Sequence, residues 1–158
     1  MLGNLRSKIE QLTRMCRRSS GHAPGLHGKR GDGELILVVD DFQDARDMYA
    51  EYLEYAGYRV ATAANGAEAV EKASRERPDA ILMDLSMPFM DGSDATRILK
   101  ADERTREIPV LALSGHAIDS DPVKKAEEAG CDDFVSRPCM PEDVEQRLRR
   151  LLGGWRKP

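Results

Sequence analysis

Three aspartates stand at the ends of two short apolar runs. Asp40 and Asp41 follow Leu35–Val39, and Asp84 follows Ala80–Met83. Three carboxylates gathered in one place repel one another unless a cation neutralises them. A hard divalent ion relieves this repulsion, and Mg²⁺ suits a site that supplies few protein ligands and leaves the rest to water and phosphate. If the fold brings the two run ends together, the aspartates predict a magnesium-dependent phosphoryl site.

Two other polar residues end apolar runs later in the chain. Ser114 follows Val110–Leu113, and Arg137 follows Asp133–Ser136. Each of the five polar residues alone has an ordinary explanation. An acid after a strand is commonly a loop residue or a helix cap, a hydroxyl commonly satisfies neighbouring backbone, and an arginine can be an ordinary surface charge. Their joint occurrence at run ends favours a shared site.

The apolar runs are typical of strands in a parallel sheet. They are apolar mostly on consecutive positions, as expected when both faces of a sheet are covered, whereas half-exposed antiparallel strands would alternate. The five runs are Leu35–Val39, Tyr58–Ala63, Ala80–Met83, Val110–Leu113 and Asp133–Ser136.

Helix signals fill the gaps between these runs. Apolar residues recur at helical spacing, and capping residues, prolines and glycines mark the helix ends. The predicted helices are Asp44–Tyr55 ended by Gly57, a helix with Asn65 and Glu68 as a capping box that ends before Pro78, Ser93–Ala101, a helix capped by Asp121 ahead of Pro122 and ended by Gly130, and Pro141–Leu152.

Five strands alternating with five helices predict a flavodoxin-like α/β fold. Right-handed crossovers place helices on both faces of one doubly wound, five-stranded parallel sheet. Ligands of such sheets bind at the carboxyl ends of the strands, where the strand order reverses. We therefore expect the three aspartates, Ser114 and Arg137 to surround one crevice.

The charge distribution separates a basic extension from an acidic domain. Residues 1–33 hold seven Lys and Arg against Glu10 and Asp32, about +5, which leaves 17 basic and 26 acidic residues, about −9, in the remainder. An acidic domain is a poor candidate for nucleic-acid binding. Within the extension, residues 2–18 have the spacing of a short amphipathic helix, either a docking or dimerising helix or a partly ordered segment, and Ser19–Gly33 has the composition of a linker.

The remaining composition indicates an intracellular protein. Cys16, Cys131 and Cys139 lack the paired spacing of a zinc site or redox motif. No apolar run approaches the roughly 20 residues that span a bilayer, so a cytoplasmic location is expected. After the predicted domain, residues 34–152, the tail 153–158 is too short for a DNA-binding or enzymatic output domain, so we expect output through protein binding.

Four segments resemble the receiver domains of two-component response regulators, over nearly all of residues 34–152. These segments include the three aspartates, Ser114 and Arg137. The segments are Leu-Val-Val-Asp-Asp at 37–41, Ile-Leu-Met-Asp-Leu-Ser-Met-Pro-Phe-Met-Asp-Gly at 81–92, Leu-Ala-Leu-Ser-Gly-His-Ala at 111–117, and Asp-Phe-Val-Ser-Arg-Pro at 133–138.

The resemblance implies a role for each site residue. Asp84 is implied as the phosphoacceptor, with Ser114 and Arg137 binding the phosphoryl group. Asp40, Asp41, Asp84 and the backbone carbonyl of Ser86 are implied as the Mg²⁺ site. Ser114 and Phe134 are implied as the switch residues. The implied partners are a histidine kinase or a histidine phosphotransfer protein upstream, and an unidentified protein downstream.

Arg137 departs from the family pattern, which has lysine before the proline. A planar guanidinium and a compact ammonium are not equivalent at a tight phosphate site. One alternative is therefore a receiver-like module that binds partners without phosphorylation. An aspartate-dependent phosphatase is disfavoured because no second acid lies two residues after Asp84, and a flavin carrier is disfavoured because the loop 41–45 is acidic.

Overall fold

The computed structural model describes residues 33–117 and 119–154, in which five strands and five helices alternate. The predicted helix at 2–18, the linker before Gly33 and the last four residues lie outside this described part and stay predictions. The strands are β1 Leu35–Val39, β2 Arg59–Ala63, β3 Ala80–Asp84, β4 Val110–Ser114 and β5 Asp133–Ser136. The helices are α1 Gln43–Tyr55, α2 Gly66–Glu76, α3 Gly92–Ala101, α4 Asp121–Ala129 and α5 Pro141–Gly154.

The strands form one parallel sheet in the order β2-β1-β3-β4-β5, which confirms the predicted flavodoxin-like fold. The chain moves from β1 outward to β2 and then returns past β1 to β3. The strand order thus reverses between β1 and β3, and the crevice expected in such folds lies above their carboxyl ends.

The register of the sheet aligns the polar strand ends. Val39 of β1 pairs with Met83 of β3, so Asp40 and Asp84, the next residues, reach the same level. Asp84 pairs in turn with Leu113 of β4, one residue before Ser114. A shift of one residue in either pairing would turn these side chains to the other face of the sheet.

Apolar side chains cover both faces of the sheet. Alternate residues of a strand point to opposite faces. On β1, Leu37 and Val39 therefore pack in a cluster with α2 and α3, while Ile36 and Val38 pack in a cluster with α1 and α5. Burial on both faces is why the strands read as continuous apolar runs, and it makes the sheet a rigid support for the residues at its edge.

The helix ends follow the predicted signals with two corrections. Helix α5 continues through Gly153 and Gly154 instead of ending at Leu152, because glycine weakens a helix without forbidding the helical backbone. The Asn65 side chain accepts a hydrogen bond from the Glu68 N–H, as expected of a cap, and Glu68 in turn accepts one from the N–H of Ala64. The prediction that Asp121 caps α4 is wrong: Ser120 occupies the cap position and Asp121 is the first helical residue, because Pro122 fits the opening turn of a helix.

Among the described helices, none combines the length and apolarity needed to cross a bilayer.

Candidate functional site at the carboxyl edge of the sheet

Asp40, Asp41 and Asp84 lie together above the ends of β1 and β3. One carboxylate oxygen from each of them lies within 4.8 Å of the others. Asp40 and Asp84 are 1% and 3% exposed, whereas Asp41 is exposed at the mouth. We call these three residues the acid pocket. The structure thus brings together the three aspartates that the sequence analysis grouped.

Backbone N–H groups orient the two buried carboxylates. Asp40 Oδ1 accepts a hydrogen bond from the Phe42 N–H at 2.9 Å, and Asp84 Oδ1 accepts one from the Ser86 N–H at 3.0 Å. Each bond spans two residues and closes the turn that follows the strand. The chain leaving each strand therefore holds its own carboxylate towards the pocket.

Arg137 supplies positive charge to the acid pocket. Its Nη2 lies 2.8 Å from Asp40 Oδ2 and 3.7 Å from Asp84 Oδ1. Its backbone N–H donates to the Ser114 carbonyl at 2.7 Å, which ties the end of β5 to β4. One guanidinium faces three carboxylates, so when all three are ionised the site retains an excess of negative charge.

The electrostatic surroundings change the pKa of both Asp84 and Arg137. Burial raises the pKa of Asp84 to about 7, and the charges of Asp40 and Asp41 add to this rise, while the Ser86 N–H and Arg137 oppose it. Burial acts to lower the pKa of Arg137, but Asp84 and Asp40 outweigh it and raise that pKa above its ordinary value. Additional positive charge in the pocket would therefore favour the ionised form of Asp84.

Ser114 and Phe134 lie on the neighbouring strands. The buried Ser114 hydroxyl accepts a hydrogen bond from the His116 N–H at 3.0 Å and lies 3.3 Å from the His116 carbonyl, to which it donates. Phe134 is half-buried and packs against a small cluster formed by Leu85, Ala112 and Ala126. These positions do not test the predicted switch roles of Ser114 and Phe134, which stay predictions.

Two residues that position the pocket were assigned no role in it from the sequence. Gly92 begins α3 against the backbone carbonyl of Asp84, so closely that any side chain would overlap it. Arg46 of α1 donates to the backbone carbonyl of Asp40 at 2.7 Å. Gly92 carried a signal as the second residue of an Asp-Gly pair, whereas nothing in the sequence distinguishes Arg46 from other helix-surface arginines.

The donor set of the acid pocket fits a hard divalent cation. It offers carboxylate oxygens from three residues, and Mg²⁺ is held in proteins by carboxylates and water. Among residues 33–117 and 119–154, no other group of three or more His, Cys, Asp or Glu side chains comes together in this way.

Comparison with known proteins identifies relatives of the described domain. The family model for the response regulator receiver domain matches residues 36–149. The chain is 30% identical over 118 residues to the polar-differentiation response regulator DivK of Brucella anthropi, covering 75% of this chain and 95% of that protein. It is 38% identical over 117 residues to the transcriptional regulatory protein PrrA of Mycobacterium tuberculosis, covering 74% of this chain and 49% of that protein. The chain thus spans about half the length of PrrA.

Solved structures with the same fold include a receiver domain and a chemotaxis protein. The receiver domain of the sensor histidine kinase PA1611 from Pseudomonas aeruginosa has a TM-score of 0.71 and 36% identity, covering 77% of this chain and 98% of that one. Its structure has a magnesium ion coordinated in the active site cleft. The chemotaxis protein CheY4 of Vibrio cholerae has a TM-score of 0.71 and 31% identity, covering 76% of this chain and 99% of that one.

Proposed function

The chain belongs to the response regulator receiver domain family, and we propose that it accepts a phosphoryl group on Asp84 in a magnesium-dependent reaction. The proposed donor is a phosphohistidine of a kinase or phosphotransfer protein in the cytoplasm. The observation that carries the proposal is the burial of Asp84 beside Asp40, Asp41 and one guanidinium.

Asp84 is the proposed nucleophile. Its carboxylate oxygen attacks the phosphorus, the P–N bond to the donor histidine breaks as the new P–O bond forms, and the imidazole leaves with its electron pair. The product is an acyl phosphate. Because the transition state spreads charge over three equatorial oxygens, the protein contributes mainly positioning and electrostatic stabilisation.

Asp41, Asp84, Asp40 through water, and the backbone carbonyl of Ser86 are the groups that we propose for holding Mg²⁺. When bound, the metal supplies positive charge that offsets the negative charge of the phosphoryl oxygens. Support comes from the three converging carboxylates of the acid pocket and from the magnesium ion in the receiver domain of PA1611.

Ser114 and Arg137 are the proposed ligands of the phosphoryl oxygens, through a hydroxyl hydrogen bond and an ion pair. Ser114 donates to the His116 carbonyl at 3.3 Å, a long bond that a phosphoryl oxygen can replace. We propose that its movement lets Phe134 pack inward and shifts an existing equilibrium on the face formed by α4, β5 and α5. A downstream protein that prefers the shifted state reads the signal.

Intact-mass measurement after incubation with acetyl phosphate and Mg²⁺ tests this proposal. Wild-type protein should gain one phosphoryl group and Asp84→Asn should gain none. Asp94→Asn is the matched control, because Asp94 is a half-buried acid of α3 that pairs with Arg97 outside the acid pocket, and it should be labelled normally. No labelling of the wild type, under conditions that label another receiver domain, would refute phosphoryl acceptance.

The alternative, a module that binds partners without phosphorylation, is supported only by the arginine at position 137. The placement of that arginine against Asp40 and Asp84 keeps a cation in the pocket, as phosphoryl transfer requires. We therefore favour phosphoryl acceptance.

A further inference from the structure

We propose that Arg137 competes with the divalent metal for the acid pocket and thereby lowers the Mg²⁺ affinity of the unphosphorylated protein. The inference rests on the proposed function. The proposed function names the residues that hold Mg²⁺, and the inference adds a residue that sets the Mg²⁺ affinity. It assigns Arg137 a second role, in addition to contact with the phosphoryl group.

The first support is the pairing of the Asp40 oxygens. Asp40 Oδ1 accepts from the Phe42 N–H, and Asp40 Oδ2 accepts from Arg137 Nη2 at 2.8 Å. Both oxygens of this carboxylate therefore already have a protein donor. A metal ion that draws on Asp40, directly or through water, must share or displace the guanidinium.

The second support is the distribution of charge and burial. Asp40 and Asp84 are almost fully buried, while the Arg137 side chain is 31% exposed and reaches both of them from the pocket wall. Charges withdrawn from water interact more strongly than exposed ones. A divalent ion held by Asp84 and Asp41 would lie close to the guanidinium and be repelled by it.

The third support is an unpaired donor on the same side chain. Arg137 Nε is buried and has no hydrogen-bond partner among the described residues. A guanidinium binds phosphoryl oxygens with two parallel N–H donors, and such an edge can include Nε. A phosphoryl group on Asp84 would offer hydrogen-bond acceptors that Asp40 does not. The Arg137 guanidinium would then turn from Asp40 to the phosphoryl group and leave the Asp40 carboxylate free for the metal.

The movement required is confined to the side chain. The Arg137 N–H donates to the Ser114 carbonyl at 2.7 Å, which anchors the main chain to β4. The guanidinium is therefore a tethered cation that can exchange one anionic partner for another. Because its main chain is anchored, the same guanidinium can compete with the metal before phosphoryl transfer and bind the phosphoryl group after it.

Calorimetric titration of the full chain with MgCl₂ tests the proposal. Arg137→Gln should bind Mg²⁺ at least about tenfold more tightly than wild type, since one charge at this distance changes the proton affinity of a carboxylate by roughly one to three powers of ten. Arg147→Gln removes the same charge from α5, where Arg147 pairs with Asp133, and should stay within about twofold of wild type. Arg137→Lys keeps a charge and should bind more weakly than the glutamine variant.

Thermal unfolding gives a second measurement that does not depend on activity. In chelator, Arg137→Gln should melt below wild type because its carboxylates lack a cation, and Mg²⁺ should raise its melting temperature more than that of wild type. Equal Mg²⁺ affinities for wild type and Arg137→Gln, or no binding by either, would overturn the competition. Tighter Mg²⁺ binding by Arg137→Gln, together with no labelling of Asp84 in the wild type, would uphold the competition and refute phosphoryl acceptance.

Discussion

Aspartates lie at both edges of the sheet, but the two groups are paired differently. At the amino edge, Asp79 accepts from the Leu35 N–H that opens β1 at 2.6 Å, and Asp132 accepts from the Val110 N–H that opens β4 at 2.8 Å. Lys100 also donates to Asp132, at 3.0 Å. Each amino-edge acid thus satisfies a strand N–H that the ladder leaves unpaired. At the carboxyl edge, three acids lie together, and Arg137 pairs with two of them, Asp40 and Asp84.

This difference separates a structural use of aspartate from a chemical one. An acid that lies apart from other acids and accepts a hydrogen bond from a strand N–H stabilises the fold and gains little from an added cation. Acids that outnumber their cations destabilise the fold and bind whatever positive charge arrives. We therefore expect mutations at the amino edge to change stability and mutations at the carboxyl edge to change chemistry.

The largest expected effect is on phosphoryl transfer. Asp41→Asn should slow labelling by at least about 10- to 100-fold, the range seen when even supporting residues of a metal site are lost. Asp79→Asn retains an acceptor for the Leu35 N–H and should be labelled at the wild-type rate. Time courses with acetyl phosphate would measure both. Equal slowing of the two variants would mean that the edges do not differ in chemistry.

Asp84→Asn should stabilise the protein in chelator at pH 8, by roughly 4 kcal/mol. Burial raises the pKa of Asp84 from 3.8 to about 7, so the folded state binds the proton more tightly than the unfolded state. The stability contributed by Asp84 is complete below pH 3.8 and is lost as the pH rises towards 7. The advantage of asparagine should therefore widen over that interval and stay constant above it.

Urea unfolding at several pH values measures this advantage, and Mg²⁺ should reduce it because the metal stabilises the wild-type carboxylate. The matched substitution Asp79→Asn should show no gain at any pH. An Asp84→Asn protein that is less stable than wild type at pH 8 would mean that the pocket acids are already neutralised.

Asp132→Ala should destabilise the fold by about 1–2 kcal/mol, because the N–H that opens β4 loses its acceptor. Lys100 would keep the carbonyl of Ile108 as a partner, which limits the loss. Chemical denaturation measures the change, and labelling of the folded fraction should match wild type. Asp132→Asn, which retains an oxygen acceptor, serves as the control and should lose less.

The smallest effect is expected at Asp133, the first residue of β5. Its carboxylate lies 2.8 and 3.0 Å from Arg147 Nη1, and both side chains are partly exposed. Arg147→Gln should cost only about 0.5 kcal/mol, as is usual for surface ion pairs. If Arg147→Gln lost as much unfolding free energy as Asp132→Ala, the hydrogen bond to the first N–H of a strand would not be the main contribution of the amino-edge acids to stability.

The strands and the grouping of Asp40, Asp41 and Asp84 could be predicted from the sequence. Apolar runs reveal buried strands, and parallel topology forces the carboxyl ends of neighbouring strands together. The family resemblance was confirmed by the match over residues 36–149. The roles assigned to individual site residues remain predictions.

Other features depend on packing that sequence patterns do not record. Arg137 was recognised as a positive charge, but its pairing with Asp40 depends on how β5 ends beside β4 and where the side chain extends. Asp79 and Asp132 look like ordinary loop acids until the neighbouring strand starts are known. The cap of α4 was misplaced by one residue because Ser120 and Asp121 are both common caps.

The loop between Asp84 and Gly92 is well suited to a spectroscopic reporter. Gly92 admits no side chain against the Asp84 carbonyl, which pins one end of the loop, whereas the Phe89 side chain is fully exposed. A fluorophore attached at position 89 would face solvent rather than the core. Its emission could follow metal entry and acyl phosphate formation in real time without a label inside the pocket.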